Sequence, residues 1–181
     1  MSKRILVAGI GNIFLGDDAF GVETVRKLIQ STLPDAVQVI DFGIRSYDLA
    51  YAMADGYDAI ILVDAAERGY APGTVYLIEP DLTKLDQLDA GTVDAHSMNP
   101  VRVLQMAQSL GGQPARLYLV GCEPAVLERE DGEFGLSDQV QAGVPKAVET
   151  IESLINDLLQ EKISQKEPGL VRPDTGEKIY A

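Results

Sequence analysis

Short apolar runs alternate along the chain with stretches whose apolar residues recur at helical spacing, the pattern of a wound α/β sheet. Arg4–Ile10 reads as a buried strand, because everything after Arg4 is apolar or glycine. In the helix predicted next, Val22, Val25 and Ile29 share one face, and Asp17 is placed to cap it. Val37–Phe42 predicts a second strand, and Ser46–Ala54 a short helix. Ala59–Val63 has the character of a central strand, and a further one, Thr74–Ile78, follows the turn signal Pro72-Gly73.

An acidic, loop-like stretch runs from Glu79 to Ala95. Asn99-Pro100 then has the form of an N-cap with proline at the first helical position, and the helix runs through Val101, Leu104 and Ala107 to the stop at Gly111-Gly112. Ala115–Val120 predicts a fifth strand. Ser137 is placed to cap the longest helix, whose stripe is Val140, Val144, Val148, Ile151, Leu154, Ile155 and Leu158. Pro145 is expected to kink that helix or split it in two. The expected architecture is α/β in three layers: a twisted, mostly parallel sheet of about five strands flanked by helices. One domain is expected over residues 1–162, followed by a tail, 163–181, rich in proline, glycine and charge, with little to bury and expected to be flexible.

Composition narrows the classes of function. With 181 residues, 46% of them hydrophobic, the chain suits a single domain with a sizeable core. Its 28 acidic and 15 basic residues leave a formal charge of −13, which disfavours nucleic acid and anionic membrane surfaces as partners. The lone Cys122 excludes an intrachain disulfide and a zinc site of four cysteines. The apolar run after the opening Lys3-Arg4 is too short for a signal peptide or membrane span, so the cytoplasm is the expected location.

Ligands of open α/β sheets gather at the carboxyl ends of the strands. Three polar features are expected there: the turn Gly9-Ile10-Gly11-Asn12 leading to Asp17-Asp18, then Asp64 after the third strand, and His96 ahead of a helix. A dinucleotide site is disfavoured, although Asp41 ends the second strand as a ribose-binding acid would. Phe14 stands where the third glycine of the fingerprint belongs, and the acid pair takes the place of a pyrophosphate. One carboxylate suffices as a cap, so Asp18 is the member of the pair available to bind a cation or handle protons. Asp18, Asp64 and His96 could together form an open site for a divalent metal such as nickel or zinc. No Gly-x-Ser-x-Gly elbow is present, Ser97 merely adjoins the histidine, and Cys122 reads as a buried, inert thiol rather than a nucleophile.

These residues carry a resemblance. Gly9-x-Gly11-Asn12-x-x-x-x-Asp17-Asp18-x-x-Gly21 is similar to the opening signature of the nickel-iron hydrogenase maturation endopeptidases. Val63-Asp64-Ala65, His96-Ser97-Met98-Asn99-Pro100 and Gly121-x-Glu123-Pro124 resemble later landmarks in the same order, so the likeness spans roughly residues 3–160. It implies a hydrolase with aspartyl endopeptidase activity that removes the C-terminal extension of a hydrogenase large-subunit precursor once nickel has been inserted. It also implies that Asp18, Asp64 and His96 are the metal-recognising and catalytic residues, with nickel carried by the substrate rather than permanently bound. Asp18 stands where the family often has glutamate, and Ala19 where it frequently has glycine. The alternative is a non-catalytic chaperone that checks nickel in the large subunit. Which carboxylate is the general base stays open at this level.

Overall fold

The computed structural model describes residues 3–80, 82, 100–112, 116–127, 134–164 and 178–180. Its elements are β1 (Ile5–Ile10), α1 (Phe20–Leu28), β2 (Val37–Gly43), α2 (Ser46–Ala54), β3 (Ala59–Ala65), β4 (Val75–Ile78), α3 (Pro100–Ser109), β5 (Arg116–Cys122), α4 (Asp138–Ser164) and β6 (Lys178–Tyr180). A single 3-10 turn, Gly16–Ala19, leads into α1. His96, Ser97, Asn99 and most of the acidic loop after Glu79 lie outside the described residues.

Among the described residues the strands form one sheet in the order β2-β1-β3-β5-β4-β6. The neighbours β2, β1, β3 and β5 run parallel, whereas β4 pairs antiparallel with both β5 and β6. The period of two along each strand divides the core between the faces. From β1 and β3, Ile5, Val7, Ile61 and Val63 join α1 and α4 in one apolar cluster. Leu6, Ala8, Ile60 and Leu62 turn the other way and pack with Leu49 and Met53 of α2 and Leu104 of α3. The three-layer α/β expectation is thereby met.

Some local expectations are revised. Asp17 does not cap α1, whose N-cap is Ala19 with no side-chain hydrogen bond; its carboxylate is committed elsewhere. Pro145 lies inside α4 and does not split it, the helix being continuous over Asp138–Ser164. Proline removes one backbone donor there, while Val144, Ala147, Ile151, Ile155 and Leu158 are all buried against the sheet. Ser137 does open α4: its hydroxyl accepts the Val140 N–H at 3.4 Å. The last described residues, Lys178–Tyr180, add a short edge strand that the sequence pattern does not announce.

Candidate active site at the carboxyl edge of the sheet

The chain leaves β1 through a turn that only glycine can make. Gly11 has φ +132°, and a Cβ built there would lie 1.7 Å from the carbonyl oxygen of Asp18. The turn therefore folds back onto its own acid pair, and the Asn12 N–H donates to the Asp18 carboxylate at 2.6 Å. Gly21, early in α1, is equally constrained: its Cβ would meet the carbonyls of Val63 at 2.0 Å and Ile10 at 2.2 Å. α1 thus starts directly on the ends of β1 and β3, bringing the first turn beside Asp64.

Asp64 pairs with Gly121 of β5 and is 8% exposed. By strand alternation its side chain shares a face with Ile60 and Leu62, the face on which α3 packs. Burial pushes its carboxyl well above the usual range, the Asp18 charge pushes it further, and only the Ala65 N–H acts in the opposite sense. Asp18 is also raised, by burial, against the lowering effect of the Asn12 N–H. The Asp18 charge therefore reaches Asp64 across the end of the sheet. Such a pair favours a shared proton or a cation. His96 belongs to the undescribed residues ahead of α3, and among the described residues no set of three His, Cys, Asp or Glu side chains is placed to hold a metal.

The carboxylates that sequence reasoning undervalued are structural. Asp17 is fully buried and accepts the N–H groups of Ala125 at 2.8 Å, Val126 at 2.9 Å and Ser137 at 2.6 Å. The Ser137 hydroxyl donates to the same carboxylate at 2.9 Å. Glu123 accepts the N–H groups of Arg68 at 2.8 Å and Gly69 at 3.2 Å, so it shapes the loop that follows Asp64. Their burial is the feature the sequence conceals; the signal available was their presence in otherwise apolar strand-end motifs.

Cys122 is buried and its thiol is pushed up to about 12, first by burial and then by Asp17 and Glu123, which makes it a core residue rather than a nucleophile. The nucleotide alternative also fails on geometry: the Asp18 carbonyl occupies the approach to Gly11, and Asp41 is paired with Arg26 at 3.3 Å. A cleft of about 400 Å³ lined by Lys3, Arg4, Asp35, Gln38 and Tyr57 lies at the opposite, amino edge and contains none of these acids. No helix among the described residues is long and apolar enough to cross a membrane.

A wound α/β domain with Asp18 and Asp64 at its carboxyl edge narrows the class, and comparison with known proteins gives the family. A family model described as hydrogenase maturation protease matches residues 22–154, and the chain belongs to that family of peptidases. It is 35% identical over 150 residues to the hydrogenase 2 maturation protease of Escherichia coli strain K12, covering 82% of this chain and 88% of that one. To the hydrogenase expression/formation protein HupD of Rhizobium leguminosarum bv. viciae it is 36% identical over 151 residues, covering 82% and 72% of the two chains. The solved structure of the E. coli hydrogenase maturating endopeptidase HybD superposes with a TM-score of 0.73 at 33% identity, over 86% of this chain and 93% of the other.

Proposed function

We propose that this endopeptidase removes the C-terminal extension of a nickel-iron hydrogenase large-subunit precursor in the cytoplasm, after nickel has been inserted. Asp18, Asp64 and His96 recognise nickel that arrives already bound to the substrate. Thiolates of the precursor supply soft ligands, and the two carboxylates and the imidazole complete the coordination. The observation that carries this reading is a pair of carboxylates at one sheet edge: Asp64, buried at the end of β3, and Asp18, half-buried and held by the Asn12 N–H, whose charge adds to the burial that raises Asp64. Their mutual repulsion is relieved by a divalent cation, whose arrival displaces the proton they otherwise retain. Docking through the metal sets the scissile peptide beside a carboxylate that can activate water, which is catalysis chiefly by positioning.

The test uses purified nickel-loaded precursor and the full chain, followed by mass spectrometry of the large subunit. Wild type is expected to shorten the precursor, and Asp18→Asn, Asp64→Asn and His96→Ala to leave it full length. Normal processing by the Asp64→Asn and His96→Ala variants would falsify the site assignment. Binding by wild type with no loss of mass would favour a nickel-checking chaperone instead.

A further inference from the structure

Large apolar side chains exposed singly on a surface are ordinary, but a cluster of them beside a functional cleft is not. Four such residues lie on the segments that adjoin or are bonded to Asp17 and Asp18. Ile13 and Phe14 belong to the turn between Gly11 and Asp18, Val126 to the loop after β5, and Phe134 to the segment before α4. Phe14 is 67% exposed and Phe134 72%, yet their rings meet edge to face with centroids 6.0 Å apart. Two segments distant in sequence therefore present one aromatic ledge to solvent.

The ledge is held from beneath. The Asp17 N–H donates to the Val126 carbonyl at 3.0 Å, and the Asp17 carboxylate fastens Val126 and Ser137 in turn. One buried acid thus ties together all the segments that carry the ledge, and the same short turn carries Asp18. A surface fixed in advance loses little conformational entropy on binding.

We propose that Phe14 and Phe134, supported by Ile13 and Val126, are specificity-determining residues that bind apolar side chains of the polypeptide substrate next to its scissile bond. The inference rests on the cleavage reading above and extends it to how the precursor is held. The occupant follows from position and charge. Phe14 stands on the same turn as Asp18, so a peptide bound at Asp18 lies close to it, whereas a second copy would bring another net charge of −13 against the same face.

The experiment measures the affinity of nickel-loaded precursor for the full chain, together with KM and kcat for processing, in wild type, Phe14→Ala, Phe134→Ala and Tyr51→Ala. Tyr51, on α2, is similarly exposed at 63% and serves as the control. Each phenylalanine variant is expected to weaken Kd and raise KM about tenfold or more, with kcat at saturation and the melting temperature unchanged, since aromatic anchors dominate such contacts. Tyr51→Ala is expected to match wild type. Unchanged Kd in both phenylalanine variants overturns the proposal, even if wild type cleaves normally. Concentration-dependent dimerisation of wild type that Phe14→Ala abolishes also overturns it, by assigning the ledge to a second copy. Binding that depends on the ledge without cleavage sustains the ledge as the docking surface for the precursor and sinks the cleavage reading. No binding by wild type sinks both.

Discussion

Asp64 concentrates the conflict between stability and chemistry in one side chain. A buried carboxyl whose pKa is raised in the folded state takes up a proton on folding once the pH exceeds its unfolded value of about 3.9. Its folded state then binds more protons than the unfolded one, so stability falls as pH rises from that value toward the folded pKa. Asp64→Asn removes the penalty while keeping an oxygen that can accept the Ala65 N–H. The variant is expected to be inactive yet to melt higher than wild type at pH 7, with the gain disappearing near pH 4. Thermal melts across pH 4 to 8 check this; equal or lower stability of the variant at neutral pH would refute the burial argument. Within the site, the sequence separated Asp18 from Asp17 by a counting argument that one cap needs only one acid. The reason turned out to be different: Asp17 is consumed by the backbone donors of Ala125, Val126 and Ser137, and such long-range bonds leave no periodicity to read. Glu123 escaped for the same reason, and the role of His96 still rests on resemblance.

At the scale of elements, the parallel strands and the helices between them were legible because each buries a face whose period is visible in the chain. Helix α2 has the predicted limits, Ser46–Ala54, whereas β3 continues past Val63 to Ala65. A charged residue looks like a strand end in sequence, but Asp64 and Ala65 still pair with Gly121 and Cys122. What the pattern could not convey is how closely the elements approach. α1 lies on the ends of β1 and β3 only because position 21 has no side chain, with the Val63 carbonyl 2.0 Å from where a Cβ would stand. Gly21→Ala must therefore push the helix away from the strand that presents Asp64. A loss of roughly 1–3 kcal/mol is expected, as in other overpacked interiors, together with reduced processing. Urea denaturation measures the first, and an unchanged midpoint would show that α1 can move at no cost.

For the whole molecule the open question is what the C-terminal segment contributes. β4 is short and antiparallel, and its outer edge is covered by Lys178–Tyr180, with Tyr76 paired to Ile179. An uncovered edge offers unpaired backbone donors and acceptors to any extended chain, including another copy. Truncation after Ser164 separates this protective role from any role in folding. The removed segment contains Lys166, Arg172 and Lys178 against Glu167, Asp174 and Glu177, so the formal charge remains −13 and a change in association cannot be ascribed to charge. Among the described residues the apolar cluster reaches Leu158 and the partly buried Leu159, and the longest helix ends at the cut. The truncated chain is accordingly expected to fold, with a melting temperature within about 4 °C of full length, as a loss of about 1 kcal/mol implies for a domain of this size. Its amides at Val75–Ile78 should exchange faster with solvent, and light scattering should show self-association that full-length protein lacks. Unaltered exchange along β4 would mean that the terminal strand does not cover the edge in solution. Failure to fold would mean that the segment is part of the domain itself.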